Sequence, residues 1–567
     1  MYLLASRTGN GEILVSALDS AGAEIERVRR LSPAEFGDFA LAREPGRPRW
    51  VWDDTSRWSP LLLASGIRVQ RCHDLRLCHA ILRNSALTAT SELATAAPNR
   101  WDSAPALEPE AAQPGTTLFD LAFDDEPADD DGPAEFRRQL DAVASCPEPG
   151  RLRLLLAAES VGALIAAEMH AAGLPWRTDI HDRLLRDALG PRVAHGARPE
   201  LLERLAARIR TELGDAVVNI DSQPELLKAL HRAGLSATST RAWELKKLEH
   251  PVIEPLLEYK KLYRLLSANG WYWMDTWIVD GRFHPDYVPG GVVTGRWATR
   301  GGGALQLPKQ VRGAVVADEG WKLVVADAAQ LEPRILAALS ADTAMATAGR
   351  DTDLYAGIVA SGVVETRDQA KVAMLGAMYG ATTGESGRLL PKLARAYPRA
   401  LGLTETAARA GERGDIVSTR LGRSSPRPGE TWQATQAQAY HPAASATDES
   451  RARSQARDWG RFTRNFIVQG SAAEWALCWM AEIRRELWSL ADADAADPRR
   501  SAAFRAAPHL VFFLHDEVVV HTPASLAAEV EQIVTRAAAT AGRLLFGDFP
   551  VDFLLTAATV DNYAEAK

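Results

Sequence analysis

Two acidic blocks, with a cationic stretch between them, hold the residues of this chain best suited to chemistry. The first block is Asp327-Ala-Ala-Gln330-Leu-Glu332-Pro-Arg334 and the last is His515-Asp516-Glu517. Between them lies Arg367-x3-Lys371-x3-Leu375-x3-Tyr379-Gly380. Two carboxylates brought together can bridge a pair of divalent ions roughly 3.5–4 Å apart, one activating a hydroxyl nucleophile and one stabilising a leaving pyrophosphate. A backbone carbonyl, with Ala328 placed for it, and phosphate oxygens complete the hard-oxygen shells that Mg²⁺ prefers. A guanidinium and an ammonium on one helix can receive a triphosphate. Template-directed phosphoryl transfer is the chemistry these residue types fit.

Those side chains need elements to place them. Leu323-Val-Val-Ala326 precedes Asp327, and Val511-Phe-Phe-Leu514 and Val518-Val-Val520 flank Asp516. Such apolar, β-branched runs read as buried strands that deliver a carboxylate to a sheet edge or a turn. Taken singly, either aspartate is an ordinary turn former. Steps of four residues advance about 40° around a helix, so Arg367, Lys371, Leu375 and Tyr379 form one slowly turning stripe. Ala370, Ala373 and Ala377 form a small apolar face opposite it. Arg and Lys one turn apart repel each other, and an anionic partner relieves that. Alone this is a solvated basic edge; between two acidic strand ends it is a nucleotide site.

These residues resemble the motifs of the family A DNA polymerases. Motif A of that family is similar to Asp327, Gln330, Glu332 and Arg334, motif B to Arg367, Lys371, Tyr379 and Gly380, and motif C to His515-Asp516-Glu517. Thr294-Gly295-Arg296 with Leu305-Gln306-Leu307-Pro308 and Arg312 resembles the segment that grips template and primer ahead of motif A. Arg461-x3-Asn465-x3-Gln469-Gly470 resembles the helix whose polar side chains reach the nascent pair. The resemblance runs from about residue 150 to the C-terminus, in the same order. It implies Asp327, Asp516 and the Ala328 carbonyl as ligands of two Mg²⁺ ions, which Mn²⁺ can replace, with Glu517 beside them. It implies Arg367 and Lys371 on the incoming dNTP, Tyr379 at the templating base, Gln330 near the nucleotide, and Glu332 as the carboxylate that excludes a ribose 2′-hydroxyl. Arg296, Gln306, Arg312, Arg461, Asn465, Gln469 and His515 would contact primer-template DNA, where the minor groove offers acceptors common to all correct pairs.

Some positions depart from the family pattern. Ala328-Ala329 stands where an aromatic-then-small pair is usual, and Pro333 follows Glu332, tolerable in the first turn of a helix. Leu375 stands where the family carries Phe or Tyr against the sugar. A missing ring removes a flat wall beside Glu332, so sugar discrimination or nucleotide affinity should be weaker than in relatives.

The chain has 567 residues and a net charge of −8, at first sight unfavourable for a DNA binder. Residues 101–136 hold eleven acids and no Lys or Arg; without them the remainder carries +3. Local clusters such as Lys246-Lys247 and Lys260-Lys261 with Arg264 can still grip phosphates. The acidic Pro/Ala-rich stretch 97–136 reads as a loosely held linker and 423–455 as a flexible loop. Leu154 to Gly173 reads as an amphipathic helix. Cys72, Cys78, Cys146 and Cys478 form no CxxC pair, and Cys72-His73-Asp74 with Cys78 is a poor metal spacing, so reduced core thiols are expected. No signal peptide or run of about 18 apolar residues is present, which points to a cytoplasmic, nucleoid-associated chain with no membrane partner.

The resemblance to family A also implies that the domain before the thumb is a proofreading exonuclease in relatives, whose metals need an Asp-x-Glu on the first strand. Met1 to Ser6 and Glu12 to Ala17 carry none, and Asp53-Asp54 and Asp74 are scattered. The expected architecture is multidomain, α/β and α+β: a right hand of palm, fingers and thumb after a shortened, inactive ribonuclease H-like exonuclease domain. Its segments are 1–96 exonuclease-like, 97–136 linker, 137–290 connecting helix and thumb, 291–346 palm, 347–455 fingers and 456–567 palm, with no room for a 5′-nuclease. The expected protein is a monomeric DNA polymerase for repair or gap filling. The alternatives are a single-subunit RNA polymerase-like enzyme, against which Glu332 argues, and a catalytically silent primer-template binder.

Overall fold

The computed structural model describes residues 1–9, 11–102, 131–194, 196–380, 384–492, 504 and 507–566. The chain divides into two compact units, the larger made of Met1–Ala172, Asp286–Arg300 and Val324–Thr559 and the smaller of Gly173–Pro285, Gly301–Leu323 and Val560–Lys567.

The larger unit begins with a five-stranded sheet, β1 (Tyr2–Arg7), β2 (Ile13–Leu18), β3 (Glu24–Leu31), β4 (Arg49–Trp52) and β5 (Cys72–Asp74), in the order β3-β2-β1-β4-β5. β1, β2 and β3 pair antiparallel, whereas β4 runs parallel to both β1 and β5. Side chains alternate across a strand. Leu3, Trp50 and Trp52 therefore pack on one face with Phe36 and Trp58, while Leu4 and Val51 pack on the other with Trp101 and Phe136. Trp101 and Phe136 stand at opposite ends of the expected linker, so its ends belong to the core; the rest, 103–130, lies outside the described residues.

Helix α1 (Pro149–Ala172) ends where Gly173 takes a left-handed φ of 68°. The amphipathic reading of this helix is corrected: Leu152, Leu156, Leu164 and Met169 are buried, but so are Glu159, Ser160 and Glu168. The helix packs against β5 and other elements of the unit on several sides, and its polar groups are paired inside.

A second sheet contains β6 (Trp321–Ala328), the antiparallel hairpin β7 (His509–Leu514) and β8 (Glu517–Pro523), and β9 (Leu555–Val560), in the order β7-β8-β6-β9. α2 (Leu331–Leu339) follows β6, α3 (Arg367–Tyr379) carries the cationic stripe, and α4 (Pro398–Glu412) packs on α5 (Ala446–Asp492), which also meets α1, α2, α3 and α6 (Ala527–Phe546). The flexible-loop reading of 423–455 is corrected too: Glu430–Ala439 is helical and α5 starts at Ala446. Pro426 and Pro428 precede the first of these helices, and its Gln- and Ala-rich body has good helix propensity.

The smaller unit is mainly helical, with Glu200–Leu213 against Ile253–Asn269 and an aromatic cluster in which Trp273 lies 5.3 Å from Trp176 and 5.2 Å from Phe283. Lys260, expected on a phosphate-facing helix, donates to Thr240 Oγ1 at 2.8 Å. All four cysteines are buried and unbridged. No described helix is long and apolar enough to cross a membrane.

Candidate active site

The two aspartates meet through the main chain. Asp327 is the penultimate residue of β6, and Asp516 sits in the hairpin turn after β7, where His515 adopts a φ of 61°. The Ala328 N–H donates to the Asp516 carbonyl at 2.9 Å, and the Ala329 N–H donates to the Leu554 carbonyl at 2.9 Å. Adjacent central strands thus hold the two residues at one end of the sheet. Both are half-exposed, while Glu517 beside them is buried. Among the described residues no three His, Cys, Asp or Glu side chains converge as a metal cage. Two carboxylates with a nearby carbonyl suit Mg²⁺, which is commonly held by one or two carboxylates plus substrate phosphates.

Glu332 is held in the first turn of α2. Tyr379 Oη donates to its Oε2 at 2.5 Å, and the Arg296 guanidinium pairs with its Oε1. Burial first, then the bond to Glu332, pushes the Tyr379 hydroxyl up to about 12, so it stays a donor at neutral pH; the Gln469 side chain reaches the same hydroxyl. Residues from four separate sequence blocks therefore share one hydrogen-bonded group. Pro333 lies in the first turn of α2.

Asp353 is a residue that the sequence did not single out. It caps the helix Leu354–Ala360, accepts from Gln330 Nε2 at 3.0 Å and receives Arg367 Nη2 at 2.7 Å. Burial alone would raise its carboxyl; Arg367 and the Ala356 N–H hold it below the usual range. The Gln330 and Arg367 side chains, expected at the nucleotide, are both on this carboxylate, and the Arg367 guanidinium also lies 5.5 Å over the Tyr355 ring. Lys371 stands exposed on α3 and Leu375 is half-buried, while Ala370, Ala373 and Ala377 pack inward.

Arg334 is buried and donates to the carbonyls of Ala329, Gly349, Thr352 and Asp552 at 2.7–3.0 Å, which ties the turn after β6 to its neighbours.

The family model described as DNA polymerase family A matches residues 197–564. The chain belongs to DNA polymerase family A. It is 24% identical over 416 residues to DNA polymerase I, thermostable, of Thermus filiformis, covering 64% of this chain and 45% of that protein. It is 30% identical over 183 residues to DNA polymerase I of Chloroflexus aurantiacus, covering 29% and 19%. The chain thus spans less than half the length of these relatives. The POL domain of Pol1 from M. smegmatis, solved in complex with DNA primer-template and dNTP, shares the fold: the TM-score is 0.65 at 18% identity, over 100% of this chain and 95% of that one.

In this family A chain the remaining expected residues fall in two places. Arg461, Asn465 and Gln469 lie along α5, and Asn465 Oδ1 is buried without a hydrogen-bond partner among the described residues. The Arg461 stem covers Gly380, where a Cβ would come 3.0 Å from its Cγ, and Arg461 pairs with Asp458. Arg464, overlooked in the sequence, donates to the Ala377 carbonyl at 3.0 Å and to Glu405 at 2.6 Å, and so fixes the last turn of α3. Gln306 and Arg312 belong to the smaller unit, where Gln306 is exposed and the buried Arg312 lies 4.4 Å over the Tyr563 ring.

The carboxylates of the N-terminal sheet are engaged structurally. Asp54 accepts from the Ser56 N–H and pairs with Arg76 at 2.7 Å. Asp74 accepts from the Thr55 and Leu77 N–H groups, and Asp53 accepts from the Trp58 indole.

Proposed function

We propose that this chain is a template-directed DNA polymerase that extends a primer 3′-hydroxyl with dNTPs and releases pyrophosphate. The observation that carries the reading is the 2.9 Å bond from the Ala328 N–H to the Asp516 carbonyl, which keeps Asp327 and Asp516 side by side. Asp327, Asp516 and the Ala328 carbonyl would hold two Mg²⁺ ions, or Mn²⁺ in their place. Bound there, the metals supply charge neutralisation and an activated hydroxyl. Lys371 and Arg367 neutralise the triphosphate, with Arg367 exchanging Asp353 for phosphate oxygens. Glu332, held by Tyr379 and Arg296, occupies the space a ribose 2′-hydroxyl would need, which favours dNTPs over the RNA polymerase alternative. Asn465, with its buried acceptor atom, and Gln469 would bond the nascent pair, and His515, Arg461, Gln306 and Arg312 the primer-template. Catalysis is mainly positioning and charge stabilisation.

The engaged state of Asp53, Asp54 and Asp74 supports an N-terminal domain without proofreading. Gap filling in repair or replication, a monomeric state and a cytoplasmic, nucleoid-associated location belong to the same proposal. The test is gel-resolved extension of a labelled primer with Mg²⁺, with and without dNTPs, beside Asp516→Ala. Extension lost in the variant, with no shortening when dNTPs are absent, is the expected result. Shortening that survives in the variant would overturn the proofreading part. Tight primer-template binding without extension by the native chain would leave a silent binding protein.

A further inference from the structure

A cavity with several arginines in its lining lies in the larger unit; α5, which carries Asn465 and Gln469, forms part of it, but no residue assigned to the nucleotide or the metals lines it. Its volume is about 410 Å³, within the range typical of small-molecule sites. One wall is apolar, formed by Leu154, Ala157 and Val161 of α1. The other is cationic: Arg47, Arg49 and Arg71 from the starts of β4 and β5, with Arg484 and Arg485 from α5. Two of these arginines are matched by carboxylates, Arg484 by Glu168 at 2.7 Å and Arg485 by Glu482 at 2.6 Å. The other three have no carboxylate hydrogen-bonded to them among the described residues. Arg49 donates to the Cys72 carbonyl at 3.1 Å and Arg71 to the Arg47 carbonyl. Glu44 is the nearby acid, but its oxygens take the Trp50 indole at 2.7 Å and the Gln70 N–H at 3.1 Å. Partial burial and the charges of Arg49 and Arg47 lower the basicity of Arg71, with Glu44 opposing, so the guanidinium groups repel one another. A cluster of this kind is stabilised by a multivalent anion, and guanidinium forks match phosphate oxygens.

We propose that this cavity binds a nucleoside phosphate, with the phosphates on Arg47, Arg49 and Arg71 and the nucleoside against the wall of Leu154, Ala157 and Val161. A ligand with both parts matches a site cationic on one side and apolar on the other. The proposal is independent of the polymerase reading, because no residue assigned to the nucleotide or the metals lines the cavity.

The test is calorimetric titration of the full chain with dADP in EDTA, with inorganic pyrophosphate and a single-stranded oligonucleotide as comparison ligands. Arg47→Gln/Arg71→Gln is the cavity variant and Lys371→Ala the control. The expected result is a saturable site, weakened at least about ten-fold in the cavity variant and unchanged in the control, as loss of a charge-assisted bond predicts. Circular dichroism and melting identify any variant that fails to fold, and Arg47→Gln alone then replaces the pair. No saturable binding, or binding lost only in the control, would overturn the proposal. Pyrophosphate binding as tightly as dADP would overturn the role of the apolar wall. An oligonucleotide binding far more tightly than dADP through the same arginines would give the cavity to a DNA strand instead.

Discussion

Glu332 shows how much of the proposed site rests on a few polar contacts. Its two oxygens are held from α3 by Tyr379 and from the preceding loop by Arg296, so its position depends on a phenol donor. Removing that donor frees a carboxylate whose hydrogen bonds are each worth about 1.5–3 kcal/mol. Tyr379→Phe should lower the deoxy-over-ribo ratio of kcat/KM about ten-fold, measured with matched dNTP and NTP pairs; an unchanged ratio would show that Arg296 suffices. Leu375→Phe should act in the opposite direction, raising that ratio or lowering nucleotide KM, and no change in either would end the missing-wall argument. Asp327 and Asp516 were legible because a carboxylate after a β-branched run is conspicuous. Asp353 was not, because a lone Asp before a short helix looks like any cap; only the fold brings Gln330 and Arg367 onto it.

Among the elements, the crossing of α4 and α5 depends on two glycines. A Cβ at Gly411 would stand 2.1 Å from Thr463 Oγ1 and 2.8 Å from the Trp459 carbonyl, and one at Gly460 would stand 2.9 Å from the Ala408 carbonyl. A backbone atom cannot rotate away, so the helices would have to separate. Overpacking of this kind costs about 1–3 kcal/mol, and Gly411→Ala should lower the melting temperature accordingly, whereas Gly429→Ala, in open space, should not. The sequence showed α3 through its four-residue stripe and its alanine face. It did not show the helix at Glu430–Ala439, because Arg, Ser, Pro and Gln in its neighbourhood resemble a loop until a neighbouring helix is there to pack on. It also assigned α1 a wet face, since burial of Glu159 and Glu168 becomes possible only with Arg423, Arg68 and Arg484 supplied from distant segments.

Across the larger unit, buried carboxylates set opposing responses to pH. Glu168, between Arg68 and Arg484, would be raised by burial, yet those guanidiniums bring it down to about 2. A depressed folded value stabilises above the unfolded value and is lost as pH falls from about 4.5 towards 2, an effect on the order of 3 kcal/mol. Glu168→Gln should remove it and leave two buried arginines poorly compensated, so melting at pH 7 should fall steeply. Glu474 behaves the other way: burial pushes it up to about 7, against hydrogen bonds from Thr419 and the Leu421 N–H. A raised folded value stabilises most below the unfolded value and is lost as pH climbs towards 7. The melting temperature of the native chain should therefore drop between pH 5 and pH 8, and Glu474→Gln should flatten that drop; an equal slope in both would refute the assignment.

The bond between the Ala328 N–H and the Asp516 carbonyl carries a consequence for inheritance. The separation of the two acidic residues is fixed by peptide groups, which every amino acid except proline supplies in full. A change of side chain at 328 can therefore be inherited without loss of that main-chain bond, provided the new residue is not proline and fits the buried position.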